Sequence, residues 1–241
     1  MTDYTQDGLV VAAEVPRAYD AIRARIIGGE IPPETRINID ALGRELGVSQ
    51  TPVREALHRL EGDGLLEYVT GRGYRTTAAL DRHGLISLFE FRLLVEPWAA
   101  RIAAADSLAN PARELDIELQ DFEARISAGG DVREAMLAHD TRFHSLIVAA
   151  ASNSVLETAY LQTHAHLHVF RLFPVDITGR NTLVEHRAIA EAIGAARGVD
   201  AERAAAEHIK WSFERSSTAF GDPLPSQDRT TPLSDKPRMV R

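Results

Sequence analysis

Val48-Ser49-Gln50-Thr51-Pro52-Val53-Arg54-Glu55-Ala56-Leu57 is the stretch on which the fold turns. Ser49 or Thr51 can cap a helix whose first turn holds Pro52, a place where the missing N–H would be unpaired in any case. Downstream, Val53, Ala56, Leu57 and Leu60 recur at helical spacing and define a buried face, leaving Gln50, Thr51, Arg54 and His58 to point outward. Upstream, Ile39, Leu42 and Leu46 give a short preceding helix its apolar stripe, and Gly47 suits the tight turn between the two. Ala18, Ile22 and Ile26 mark a still earlier helix that ends near Gly28-Gly29. Three helices are therefore expected by residue 62, the last two forming a helix-turn-helix, which makes double-stranded DNA the first partner to consider.

Beyond Gly62 and Gly64, Leu65-Leu66 and Tyr68-Val69 flank Glu67, and a second extended run from Tyr74 to Thr77 follows Gly71-Arg72-Gly73. The spacing predicts a hairpin, or wing, with a basic tip. Helix, helix-turn-helix and wing, in that order across residues 16–78, resemble the winged-helix reader domain of GntR-type bacterial transcription regulators, with Thr51-Pro52-Val53-Arg54-Glu55-Ala56-Leu57 as the specific match. The resemblance implies that Arg54 contacts bases or phosphates, that Thr51 contacts the backbone, and that Arg72 or Gly73 meets the minor groove or sugar-phosphate edge. Gln50 stands where the family most often has Arg, and Asp40 where some members have a DNA-contacting Arg. Gln pairs with adenine N6/N7 and Arg with guanine O6/N7, so one base preference in the operator is expected to differ. Residues 16–78 carry nine Lys or Arg and nine Asp or Glu and so net zero, against −8 for the chain. Any DNA footprint is thus confined to the second helix of the motif and the wing.

A chain of 241 residues with 44% hydrophobic content accommodates two domains, here divided near Ala78–Asp81. The absence of cysteine excludes disulfides and thiolate metal sites. With neither a leader-like segment nor an apolar run long enough to span a bilayer, the expectation is a cytoplasmic protein without membrane contact. Residues 1–15 and 221–241 read as loose tails. Over 79–220 the pattern is helical throughout, with helices expected at 82–105, 111–128, 131–150, 153–172, 180–197 and 200–219 and a kink at Pro97. The fold class is mainly α: a winged helix-turn-helix followed by a six-helix antiparallel bundle.

The bundle carries an unusual polar set. Asp140 and His144 lie one turn apart on one helix face, and His186 and His208 come from two further helices, each among apolar neighbours such as Phe143, Ile147, Leu183, Ile189 and Ile209. A lone inward histidine is ordinarily a core residue satisfied by a hydrogen bond. Four candidate ligands on three helices leave the core and metal readings equally open, because helical bundles build metal sites from facing side chains. Asp140-x-x-Phe143-His144, Glu185-His186-x-x-Ile189 and His208-Ile209 resemble the ligand motifs of the FCD effector domain in the FadR branch, and the six-helix length is closer to the VanR-like subgroup.

That resemblance implies a divalent metal ion (Zn, Ni, Mn or Fe) on Asp140, His144, His186 and His208, with open positions for a small carboxylate effector. It also directs the fork of Arg92 into the pocket, although a salt bridge from Arg92 to Glu96 at i+4 explains that residue equally well. In the cluster His164, His166 and His168, only His164 and His168 share a helix face; His164 is a candidate effector contact. Asn153 is another, though an N-cap role is simpler. The function implied is a homodimeric regulator, commonly a repressor, on a palindromic operator. The alternatives are a direct divalent-metal sensor and a metal-dependent hydrolase, the latter without an HExxH or similar motif to supply a general base.

Overall fold

The computed structural model describes residues 4–106, 108, 110–129, 132–172 and 178–221, with side chains from residue 14 onward. Helix α1 (Tyr4–Ile27) begins well inside the stretch that composition assigns to a loose tail and continues across Pro16. The other expected tail lies outside the described residues beyond Gly221. Asn38 caps α2 (Ile39–Leu46), its side chain accepting from the Ala41 N–H at 3.0 Å, and Gly47 ends it at φ 66°. In α3 (Gln50–Gly62), Ser49 occupies the N-cap position without a side-chain bond, and Pro52, Val53, Ala56, Leu57 and Leu60 form the buried face.

The wing is an antiparallel pair, β1 (Leu66–Val69) and β2 (Gly73–Thr76), in register from Leu66↔Thr76 to Val69↔Gly73. Gly71 and Gly73 take φ of 75° and 79° at its tip, conformations that side chains resist. The segment before α2 lies along the other edge of β2: Thr76 N–H donates to Thr35 O at 2.9 Å and Ile37 N–H to Tyr74 O at 2.9 Å. The buried Thr76 hydroxyl adds a bond to Pro32 O at 2.6 Å, so the wing is fastened to the α1–α2 connection.

The second domain comprises α4 (Arg82–Ala105), α5 (Ala112–Ala128), α6 (Val132–Ala150), α7 (Ser154–Gln162), α8 (Ala165–Phe170), α9 (Arg180–Gly194) and α10 (Gly198–Ser217). The helix expected at 153–172 is thus broken in two. His164 stands at the break with φ 44°, and the Thr163 hydroxyl bonds Tyr160 O at 2.6 Å, taking a carbonyl that a continuing helix would use. Pro97 lies inside α4 without ending it.

Helix α6 is the centre of the bundle, packing on α4, α5, α7 and α8. It buries Met136, Leu137, His139, Asp140, Phe143, His144, Ile147 and Val148, a face wide enough to turn adjacent residues inward. Small residues on α4 (Ala99, Ala100, Ala103 and Ala104) and on α10 (Ala201 and Ala205) bring those helices into the same core. Between the domains, Arg171 donates to Thr77 O at 2.6 Å and Thr77 Oγ1 at 2.8 Å, and Arg133 donates to Ile27 O at 2.8 Å. No helix among the described residues is long and apolar enough to cross a membrane.

Candidate metal centre and nucleic-acid interface

On α3, Gln50, Thr51, Arg54 and His58 are all exposed, as the periodicity of their buried neighbours requires. The Gln50 amide nitrogen donates to Asp40 Oδ1 at 2.5 Å and its oxygen accepts from Arg54 at 3.4 Å, so an acidic residue in the first turn of α2 steers the polar row of α3. His58 Nδ1 lies 3.3 Å from Glu61 Oε2. Arg72 is exposed at the tip of the wing, beside half-buried Gly73. All six residues therefore stand on the helix and hairpin able to enter DNA grooves, and the exposed guanidinium of Arg54 keeps most of its donors free of protein partners.

In the bundle, Asp140, His144, His186 and His208 converge. Each imidazole has its Nδ1 occupied. His144 Nδ1 is 2.6 Å from Glu96 Oε2, and His208 Nδ1 is 2.8 Å from Glu185 Oε2. His186 Nδ1 is 2.9 Å from His139 Nε2, whose own Nδ1 is 3.1 Å from Glu118 Oε1. A carboxylate only accepts, so the protons sit on Nδ1 of His144, His208 and His139. His139 Nε2 is then an acceptor, which places the proton of His186 on its Nδ1 as well.

The three Nε2 atoms are left as inward lone pairs. His186 Nε2 and His208 Nε2 face each other at 3.3 Å, and His186 Nε2 is 3.9 Å from Asp140 Oδ1. Asp140 Oδ1 and His144 Nε2 are buried without a hydrogen-bond partner. Three imidazole nitrogens, those of His144, His186 and His208, gather at one point, and Asp140 Oδ1 joins them through its 3.9 Å approach to His186 Nε2, a donor set of the kind that a borderline divalent cation takes. The nitrogens of His144, His186 and His208 lie within 4.8 Å of one another, and a second group, His139, Asp140 and His186, meets the same limit.

Ionisation suits the same purpose. Burial holds the His144 imidazole down at about 3 despite Glu96, and burial together with His208 and His144 pushes His186 well below its usual range. Burial opposes the charge on Glu96, but Arg92 and His144 outweigh it and keep the carboxyl well below the ordinary carboxylate range. For Asp140, the opposing burial is outweighed by the hydrogen bond and charge of His166, with His144 and His139 adding to them. At neutral pH His144 and His186 are therefore neutral and Asp140 is charged, the forms that ligate metal.

The cluster opens on its Asp140–His208 side into a cavity of about 30 Å³ bordered by Arg92, His166, Thr182, Ser212 and Arg215. Arg92 is buried and donates to Glu96 at 2.6 Å and 3.3 Å, so the salt bridge weighed from sequence does form, inside the bundle rather than at its surface. His164 begins α8 half-buried and is absent from the cavity wall. Of His164, His166 and His168 it is His166 that lines the cavity, with Nδ1 3.7 Å from Asp140 Oδ2 and Nε2 3.0 Å from the Tyr160 hydroxyl. Asn153 is exposed and caps α7, accepting from Leu156 N–H at 3.1 Å, so the structure does not bring it to the cavity.

Sequence reading missed Glu118, His139 and Arg215, took Glu96 only as a partner of Arg92, and took Glu185 only as part of a motif. Signals were present in two cases: Glu185 directly precedes His186, and His139 directly precedes Asp140. Glu118 and Arg215 reach the site only through helix packing and left no local trace.

A winged helix with an exposed polar reading face, joined to a helical bundle, defines a DNA-binding transcription regulator. The chain belongs to the FCD-domain regulators of the GntR family: residues 87–210 match the FCD domain and residues 15–75 the bacterial regulatory proteins of the gntR family. It is 27% identical over 177 residues, 73% of this chain and 78% of the relative, to the uncharacterized HTH-type transcriptional regulator YdhC of Bacillus subtilis. It is 29% identical over 210 residues, 86% of this chain and 90% of the relative, to a probable D-xylose utilization operon transcriptional repressor of Paenarthrobacter nicotinovorans. The fold is shared with Escherichia coli McbR/YncC, at a TM-score of 0.66 and 18% identity over 86% of this chain and 98% of the other. The chain is therefore a transcriptional regulator and not an enzyme, which removes the hydrolase alternative.

Proposed function

We propose that this regulator is a cytoplasmic homodimer whose winged helices grip a palindromic operator, commonly to repress, and that a small carboxylate effector bound beside a divalent metal ion controls that grip. Gln50, Thr51, Arg54 and His58 read the major groove and Arg72 and Gly73 the wing contact, while Asp140, His144, His186 and His208 hold the ion. The observation that carries the metal reading is the inward set of donors, above all His144 Nε2 and Asp140 Oδ1, buried without a hydrogen-bond partner beside Nε2 of His186 and His208. When bound, a Zn, Ni, Mn or Fe ion supplies coordination positions that a carboxylate can take. Glu96, Glu118 and Glu185 orient the imidazoles, and Arg92 and Arg215 bring positive charge to the cavity wall.

A second reading, in which the ion itself is the signal, is favoured by the cavity size. A volume of about 30 Å³ holds about two waters. An organic acid can enter only if the wall moves.

Two measurements on the purified protein separate the readings: operator affinity by fluorescence anisotropy, and thermal shift against hydroxy acids, sugar acids and dicarboxylates, each before and after chelation. A carboxylate effector at a metal predicts a shift with at least one acid that chelation abolishes, together with a change in operator affinity. A response to metal alone selects the sensor reading. Stoichiometric absence of metal together with no shift refutes both.

A further inference from the structure

His139 has no role in the ligand set, yet it is buried in contact with it. It precedes Asp140 on α6, and the two point inward only because that helix is covered on a wide arc. Its ring lies flat on Phe122, centroids 4.0 Å apart and planes within 3°, and the His186 ring lies in the same way on Phe143, also at 4.0 Å and 3°. Two apolar rings thus fix the planes of two imidazoles whose nitrogens meet edge to edge at 2.9 Å. Behind His139 stands Glu118, and Arg142, about half exposed on the next turn of α6, donates to the other Glu118 oxygen at 2.6 Å. A chain Arg142–Glu118–His139–His186 therefore runs from the surface to the metal centre.

The other two ligand imidazoles meet carboxylates directly, His144 on Glu96 and His208 on Glu185. Only His186 has a second imidazole in between. An imidazole can accept there only if its far nitrogen carries the proton, and Glu118, an acceptor at 3.1 Å from that nitrogen, imposes this. We infer that His139 is a positioning residue of the metal centre and not a ligand: with Glu118 it fixes the tautomer and plane of His186 so that Nε2 faces the ion. The inference rests on the metal reading proposed above. The rival is that His139, Asp140 and His186 form a second ion site, since their donor atoms also lie within 4.8 Å. His139 brings no unpartnered nitrogen to such a site, because its Nδ1 faces Glu118 and its Nε2 faces His186 Nδ1.

The test is a zinc titration of the full-length protein in competition with a chromophoric chelator, with thermal unfolding followed in parallel. The wild type is expected to bind one ion per chain, lost in His144→Ala. His139→Leu, which removes the acceptor, is expected to weaken zinc binding by about 10- to 100-fold, the usual effect of losing such an outer partner, with the stoichiometry unchanged. His139→Gln can still accept from His186 through its amide oxygen and donate to Glu118, and is expected to recover most of the affinity. A purely structural role would lower thermal stability in His139→Leu and leave zinc affinity where it was, which overturns the inference. A second ion lost in His139→Leu overturns it in favour of a ligand role. If His139→Leu does not fold, Glu118→Leu, further from the ion and without an acceptor for His139, carries the same test: weakened binding supports the relay, and wild-type affinity overturns it. A wild type that binds no zinc refutes the metal reading and the relay together, whereas zinc lost in His144→Ala but kept in the His139 and Glu118 variants refutes the relay alone.

Discussion

At the level of single residues, the reader and the bundle use polar groups in opposite ways. Arg54 is exposed and free to meet a base edge or phosphate, and Arg54→Ala is expected to cost about 1–3 kcal/mol of operator binding while leaving metal content unchanged. Anisotropy titrations at fixed salt check this, and undiminished binding would remove Arg54 from the reading surface. The buried polar groups instead make stability depend on protons. Folded His144 titrates at about 3 against an ordinary 6.5, and His186 is depressed in the same sense, so the folded state excludes a proton that the unfolded chain binds. Their contribution is complete above 6.5 and is lost as pH falls toward 3. Metal-stripped protein should therefore lose melting temperature steadily across that window, and a flat profile would contradict the buried neutral imidazoles. Asp140 and His144 were legible from sequence because a four-residue interval puts two side chains on one helix face. Glu118 was not, because it meets His139 through the packing of α5 on α6, which no local spacing encodes.

Among elements, α8 has the most to say about coupling. It starts at a left-handed histidine, turns His166 toward Asp140, and ends at Arg171 on the linker between the domains. On its outer side the His168 ring lies against Gly64, where an added Cβ would sit 3.3 Å from Nε2. One short helix thus touches the cavity, the linker and the turn that precedes the wing. Arg171→Ala removes the bonds to Thr77 and should cost on the order of 1–3 kcal/mol without altering metal content. Faster proteolysis at residues 77–81, with zinc binding intact, is the expected readout, and wild-type protection would show that the latch does not hold the reader. The element pattern was readable wherever apolar spacing is regular, as in α3, α6 and the wing. It failed at His164, where a helical pattern continues through a backbone break set by one residue's φ, and at α1, whose start composition alone placed too late.

For the whole molecule, charge and symmetry decide how it meets DNA. The chain carries −8 overall while its reader segment is neutral, so affinity has to come from a few local phosphate contacts. Operator binding should accordingly fall with salt along a shallow slope set by those contacts, and a steep dependence would point to a basic surface elsewhere. A dimer that places two α3 helices about 34 Å apart would protect two half-sites one helical turn apart in a footprint, and a single protected half-site would contradict it. On the proposed reading, Asp140, His144, His186 and His208 hold one metal ion per chain. The direct test is elemental analysis of wild type and of a His144→Ala, His186→Ala double variant, purified side by side without added metal or chelator. A near-stoichiometric ion in the wild type and its loss in the variant, with operator binding retained, is the expected result. Equal metal content in the two proteins would contradict it.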